Sequence, residues 1–438
     1  MEYNNKCYEL NDVLFEQVLT VFKQSMDLTT DSRKVKQGSI FVALRGENFD
    51  GNDFALQALN QGAALAVIDR QECYADTRML RVENTLEFLQ RFAAYYRNTF
   101  SIPVLAISGT NGKTTTKELV AAVLQTGYRI CATQGNLNNH IGVPLTLLSM
   151  KEDCQVAIIE MGASHVGDID LLCRIARPTL GLLTNIGTAH IEGFGSQQAV
   201  VQTKTELFRF LDAEGGTAFV NNDDKNLSYH KPKNSITYSL HRDGCIQGRI
   251  VDRTDATACL KVENQGTLYS NLIGAYNCYN MLAAYAVGKY FHIEFQTISA
   301  AIERYIPSNN RSQIKKTSRN KLVLDCYNAN PTSCWFALDA FKDMYAKKKC
   351  VFLGSMKELG AVSRQAHAEI ADIVIKSNPF LAVFVGEEYN LVKQSDNVMW
   401  FADVQQAKEA VGKLNIQDAL ILIKGSRATQ MEQLADVL

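Results

Sequence analysis

The run Ser108-Gly109-Thr110-Asn111-Gly112-Lys113-Thr114-Thr115-Thr116 lies between a short apolar stretch, Val104 to Ser108, and a helical stretch from about Thr115 to Thr126 that Gly127 stops. A strand, a glycine-rich loop and a helix in this order constrain the fold more than any other segment. Gly109 and Gly112 let the backbone curl so that its N–H groups point at one anion, and the helix N-terminus adds its dipole. Lys113 supplies positive charge and Thr114 a hydroxyl for Mg²⁺, so the segment reads as a phosphate loop with ATP as the expected ligand. The pattern G-x-x-x-x-G-K-[ST] is incomplete, because Ile107 stands where its first glycine would be. An ordinary glycine-rich turn between strand and helix is the alternative.

The same alternation of short apolar runs and helical stretches continues along the chain, the signature of βαβ units and parallel sheets. Candidate strands run from Ser39 to Leu44, Ala64 to Asp69 and Met79 to Val82, with helices near Asp53 to Gln61 and Thr85 to Tyr96. Beyond Val104 to Ser108, the runs Val156 to Glu160 and Leu180 to Asn185 end in polar residues, where ligands collect in open α/β sheets. Ser108, Glu160 and Asn185 are therefore candidates for one crevice. An alanine-rich helix from Asn280 to Tyr290 and the turn Pro307-Ser308-Asn309-Asn310 close this part. The last part repeats the logic with Lys321 to Asp325, Cys350 to Leu353, Leu381 to Val385 and Ala419 to Ile423. The expected fold is α/β in three domains: 1–100 a small α/β unit, 101–307 a central P-loop ATPase-like parallel sheet, and 308–438 a Rossmann-like doubly wound unit.

At 438 residues the chain is about three times a ~150-residue domain, and 46% hydrophobic against 21% charged residues is enough apolar material for a core in each part. A net charge of -1 gives no global field toward nucleic acid or an anionic membrane. No stretch approaches the ~18 to 20 apolar residues of a membrane helix. The start MEYNNKCYEL lacks a basic stretch followed by an apolar block, so a cytoplasmic location is expected. Eleven scattered cysteines without a C-x-x-C pair suit reduced thiols, most of them small buried hydrophobes.

Other residues carry chemistry only in combination. Glu160 at a strand end suits Mg²⁺, and His190 in Thr188-Ala189-His190-Ile191-Glu192 is a second candidate ligand, with a structural histidine as its alternative. Lys204, on spacing alone, reads as a solvated helical lysine. Asn-rich turns recur at 135–140, 276–280 and 327–331, and Lys424-Gly425-Ser426-Arg427 ends the last strand with two cations and a hydroxyl. That end reads either as an anion clamp or as a helix start with exposed charges.

Taken in order, these segments resemble the Mur ligase family over nearly the whole chain. The shared features are GTNGKTT at 109–115, Glu160, His190 and Lys204; the more specific ones are Asp31-Ser32-Arg33, GENFDG at 46–51, GNLNNHIGVP at 135–144, DCYNANP at 325–331 and KGSR at 424–427. The resemblance implies an ATP-dependent ligase of peptidoglycan precursor synthesis that joins D-alanyl-D-alanine to UDP-N-acetylmuramoyl-tripeptide through an acyl phosphate. It assigns the UDP part to the first domain through Ser32, Arg33, Gly46 and Asn138. ATP falls to Gly109, Thr110, Asn111, Gly112, Lys113, Thr114 and Thr115 with Asn277, Asn280, Arg311, Asp325 and Asn328, and His367 is a further candidate. Two Mg²⁺ fall to Thr114, Glu160, His190 and Lys204, with Lys204 carbamylated by CO₂; Lys113, His190 and Lys204 are the implied catalytic residues. Lys424, Ser426 and Arg427 are assigned to the dipeptide, and a monomer without nucleic-acid partner or membrane insertion is expected. Tyr276, Asn310, Leu324, Cys326 and Ser355 depart from the family pattern, which has His, Gly, an acidic residue, Ser and Asp there. Folylpolyglutamate synthetase shares the ATP-binding core but is not expected to carry the DSR and GENFDG segments. A phosphotransferase using the same loop would need no amine, and an idle nucleotide sensor would have no need of Glu160, His190 and Lys204 together.

Overall fold

The computed structural model describes residues 2–187 and 194–438. Among the described residues three large β-sheets follow one another along the chain, each flanked by helices, and a two-stranded ribbon pairs Arg45–Gly46 with Phe49–Asp50. The first has four parallel strands in the order Leu28–Thr29, Ile40–Val42, Leu65–Ile68 and Met79–Arg81. Leu28–Thr29 and the helix before it, Asp12–Ser25, were not legible beforehand, although Asn11 caps that helix by accepting from the Leu14 N–H. The expected strands here are shorter than their apolar runs: the Ala43 N–H still bonds the Val67 carbonyl at 2.9 Å, but the chain then turns, with the Leu44 N–H on the Val42 carbonyl at 3.0 Å.

The central sheet runs Gly266–Ile273, Thr257–Val262, Ile246–Ile250, Ser235–Ser239, Thr217–Asn221, Leu180–Leu183, Val104–Ser108, Val156–Glu160 and Ile130–Ala132. Its last seven members pair in parallel, and the first two fold back antiparallel at the far edge. Val104–Ser108 lies in the interior, with both neighbours and all its own residues buried. A continuous apolar run is what such a strand needs, since both faces are covered. The helix Lys113–Leu124 covers one face together with Asn277–Tyr290.

Apolar packing does not stop where the first sheet ends. A single cluster runs from Tyr3 to Leu227 and includes Phe22, Phe92 and Tyr96 as well as Ala106 and Leu183. Two polar side chains tie the same seam. The Tyr96 hydroxyl donates to the Met150 carbonyl at 2.7 Å, and the buried Arg97 guanidinium donates to the carbonyls of Ala176 and Phe100 at 3.1 and 2.7 Å. Taking a guanidinium out of water is tolerable here because backbone oxygens replace its hydration.

The third sheet has the order Gln313–Lys316, Lys321–Asp325, Ala419–Lys424, Lys348–Gly354, Leu381–Val385 and Val398–Phe401, antiparallel only at its first pair. Helices on both faces bury separate apolar clusters, so this part is doubly wound as expected. Its register matters for the site, because Asp325 stands directly opposite Lys424 at the strand ends. All eleven cysteines are free thiols, and no helix among the described residues is long and apolar enough to cross a membrane.

Phe22 is 0% exposed and packs edge-on against Phe92 and Tyr96 at 5.8 and 5.3 Å. Phe22→Ala is expected to cost about 3–5 kcal/mol through lost burial and the cavity left behind, read as a lower urea midpoint.

Candidate active site

The glycine-rich loop is pressed against its neighbours so closely that two positions tolerate nothing larger. Gly109 has φ 135 and a Cβ there would meet Thr184 Oγ1 at 2.1 Å; Gly112 has φ 81 and a Cβ would meet Asn280 Oδ1 at 2.7 Å. Both needs, left-handed backbone and close approach, are ones that glycine alone meets cheaply. The next strand end supplies the loop's support. Asn185 accepts the Asn111 N–H at 3.1 Å and returns a bond from its amide to the Asn111 carbonyl at 2.9 Å, while Thr184 donates to that carbonyl at 2.6 Å. Lys113 Nζ lies back over the loop, donating to the carbonyls of Gly109 and Thr110 at 2.8 and 3.0 Å.

A cavity of about 1030 Å³ opens over this loop. Thr110 to Thr115 form its floor, Glu160, Asn138 and Asn185 one side, and Arg311, Asp325 and Asn328 of the third sheet the other. The two sides touch directly. Asn330, the cap of the helix Pro331–Asp343, donates from Nδ2 to Asn111 Oδ1 at 2.9 Å, while its own oxygen caps Ser333 in a reciprocal capping box. The helix therefore starts on the phosphate loop.

Charges around the loop are unevenly matched. Burial pushes the Lys113 ammonium down to about 8, an effect that Arg311 reinforces and Glu160 and Glu358 oppose. Lys204 is 2% exposed, and burial followed by the nearby Lys113 charge brings it down to about 7. The solvated helical lysine suggested by spacing is thus overturned: Lys204 ends the helix Gln197–Lys204 on its inward side, near the Phe194 ring at 5.9 Å. Glu160 has one oxygen on Asn138 Nδ2 at 2.8 Å, and the other is buried without a hydrogen-bond partner. A half-satisfied buried carboxylate near the Lys113 ammonium is costly by itself, and it is the kind of donor a hard divalent cation takes.

Other expected residues fall where their motifs suggest, with changed duties. Asn277 and Asn280 line the cavity, but Asn280 donates to Asn277 at 2.8 Å and accepts from Thr116 at 3.0 Å, so they also brace the two packed helices. Asn310, in place of a glycine, has φ 56, a left-handed conformation that Asn tolerates. The Tyr276 hydroxyl is 2.9 Å from that of Ser312, and its ring lies against Phe336. Lys424 is buried and donates to Asp325 at 2.6 Å and to the Asn328 carbonyl at 3.2 Å, so its charge is already engaged.

Several assignments separate from the cavity. Asn138 stands with Glu160 rather than with Ser32, Arg33 and Gly46, none of which lines the cavity. The exposed Arg33 is bound by Asp31 at 2.8 Å, and that guanidinium holds the Asp31 carboxyl down at about 2. Gly109 and Ser108 also stay out of the lining, the latter donating to the Met161 carbonyl at 2.8 Å. Ser426 and Arg427 lie beyond the lining too. His367 is fully buried: its Nε2 accepts the Met356 N–H at 2.9 Å and its Nδ1 meets the Ser363 carbonyl at 2.7 Å, which uses both nitrogens in fixing a loop rather than a nucleotide. Ser355, in place of an acidic residue, instead donates to Glu388. His190 lies outside the described residues. Sequence alone does not single out Thr184 or Asn330: Asn330 lies in the DCYNANP segment, but no local pattern shows that it reaches Asn111.

Three family models match the chain: Mur ligase family, catalytic domain, at residues 27–97; Mur ligase middle domain at 107–288; and Mur ligase, glutamate ligase domain, at 310–427. The UDP-N-acetylmuramoyl-tripeptide--D-alanyl-D-alanine ligase of Bacillus subtilis (strain 168) is 32% identical over 423 residues, covering 93% of this chain and 92% of that protein. A crystal structure of MurF from Acinetobacter baumannii superposes with TM-score 0.84 at 28% identity, covering 94% of this chain and 93% of that one. The MurF ligase of Thermotoga maritima in complex with ADP also gives 0.84, at 26% identity and 94% and 96% coverage.

A P-loop lysine held near 8 makes anion binding pH-dependent in a defined sense. Lys113 is charged below about 8 and loses its proton above it. Metal-free ADP should therefore bind with proton uptake above that point, its affinity falling toward about tenfold per pH unit. Calorimetry between pH 7 and 9 in buffers of different ionisation enthalpy checks both the slope and the proton.

Proposed function

The chain belongs to the Mur ligase family, and from this we infer that it is an ATP-dependent ligase that joins D-alanyl-D-alanine to UDP-N-acetylmuramoyl-tripeptide in peptidoglycan precursor synthesis. The observation that carries this reading is the cavity over the phosphate loop, walled by two different sheets and closed at one point by Asn330 on Asn111. A phosphotransferase, which needs only ATP and one acceptor, has less use for a second unit bearing Arg311 and Asp325 at the same cavity. In this reading residues 1–100 hold the UDP part through Ser32, Arg33 and Gly46, residues 101–307 bind ATP, and residues 308–438 close over it and receive the dipeptide through Ser426 and Arg427. The enzyme acts in the cytoplasm as a monomer.

The reaction joins groups that repel each other. The terminal carboxylate of the tripeptide attacks the γ-phosphorus of ATP; an acyl phosphate forms and ADP leaves. The dipeptide amine then attacks the acyl carbon, and phosphate departs with the proton lost from nitrogen passing to solvent. Lys113 and Arg311 lower the repulsion in the first step by placing positive charge where the phosphate oxygens lie, and the loop N–H groups orient them. Closure by the C-terminal unit keeps water from the acyl phosphate.

The donor set also suits Mg²⁺. Thr114 and the free oxygen of Glu160 would hold one ion, and His190 with a carbamylated Lys204 the other. When bound, the ions neutralise phosphate oxygens and make the γ-phosphorus more electrophilic. Lys204 is suited to carbamylation because an amine lowered to about 7 is largely neutral at slightly alkaline pH, and only the neutral amine can attack CO₂.

Phosphate release from ATP by the purified protein, with Mg²⁺ and each substrate omitted in turn, tests the assignment. Release that requires all components, with a product one dipeptide heavier, is expected; release without D-alanyl-D-alanine would point to phosphoryl transfer instead. Lys113→Ala should abolish turnover, and Glu160→Gln should lower it by at least about a hundredfold, while its apoprotein melts no lower than the wild type because an incompletely bonded buried charge has gone.

A further inference from the structure

Tyr327 lines the cavity, yet its hydroxyl makes no hydrogen bond among the described residues and no role above depends on it. Its ring, by contrast, carries two cations. The Arg311 guanidinium carbon lies 3.8 Å from the ring centroid and that of Arg427 5.4 Å, both inside the ~6 Å range of cation–π attraction. Neither guanidinium has a carboxylate partner or donates a side-chain hydrogen bond among the described residues, and Arg311 Nε is buried without an acceptor. We propose that Tyr327 is a positioning residue whose ring holds Arg311 and Arg427 together, linking the grip on the ATP phosphates to the grip on the dipeptide carboxylate. This deepens the ligase reading and rests on it.

The placement follows from the strand ends. Asp325 accepts from Lys424 and from the Ser312 N–H at 3.2 Å, and Lys424 also holds the Asn328 carbonyl. The turn bearing Tyr327 is thereby pinned on both sides, between the loop that carries Arg311 and the strand exit that carries Arg427. Two free guanidinium groups at one place repel each other, and each has many rotamers to lose when an anion arrives. A fixed aromatic face offsets the repulsion and restricts the rotamers before binding, without using up the N–H donors in the guanidinium plane. A carboxylate partner would do the opposite, since it would compete with the substrate anion. A ring is therefore the suitable holder, and a hydroxyl on it is dispensable.

The test compares Tyr327→Phe with Tyr327→Leu in the full chain, by calorimetry with ADP and by KM for each substrate. Phe should stay within about twofold of wild type throughout. Leu should weaken ADP and raise KM for ATP and for D-alanyl-D-alanine by about three- to tenfold, leaving KM for the UDP-substrate unchanged. In the Leu background, Arg311→Gln should cost ADP affinity less than it does in the wild type. The proposal fails if Leu matches wild type, if Phe loses as much as Leu, or if the UDP-substrate is weakened equally. Wild-type turnover with the dipeptide tests the ligase reading separately, and the ADP arm needs no turnover at all.

Discussion

Loop 109–112 can serve as a phosphate site only because it lies flush against the strand end at Thr184–Asn185 and the helix start at Asn277–Asn280. Gly109 and Gly112 permit that contact, and the paired bonds between Asn111 and Asn185 hold it. Other features of the cavity depend on this arrangement. Asn330 can bridge from beyond the third sheet's Lys321–Asp325 because Asn111 is already fixed, and Lys113 can lie half-buried because the loop backbone supplies carbonyls for its ammonium. A loosened loop would leave the Lys113 ammonium without its carbonyls and the two walls without a joint.

The same cavity is electrostatically incomplete. Lys113 and Lys204 lie below the usual lysine range through burial, Glu160 has an oxygen with no partner, and Arg311 touches a ring rather than a carboxylate. Arg97 and Lys424, by contrast, are satisfied, the first by backbone carbonyls and the second by Asp325. Unsatisfied groups gathered in one cavity suit the polyanions and metal ions of the proposed reaction, since ligands that bind the folded chain would restore the stability it forgoes there. The lowered ammonium groups fit the same picture, because each can regain a full charge when an anion approaches.

Local chemistry made part of this legible from residue letters. The phosphate loop declared itself through two glycines, a lysine and a threonine between a strand and a helix, and Glu160 through its place at the end of an apolar run. Spacing could not tell that Lys204 points inward, because a single lysine at the end of a helix has the same periodicity on either face. Nor could it show that Asn138 belongs to Glu160 or that both nitrogens of His367 are used by a loop, since each partner is separated by many residues or by a turn of unknown direction.

By itself, the sequence determined the α/β class, the strand, loop and helix around Lys113, and the resemblance that names a family, because these rest on short-range periodicity and on residue types in fixed order. The tertiary structure alone decided which charges are paired and which are left open. Register set Asp325 opposite Lys424, the packing of separate sheets brought Asn330 to Asn111, and the meeting of three loops put two arginines on Tyr327. Pairing of this kind depends on distances between segments far apart in the chain, and no local pattern encodes them.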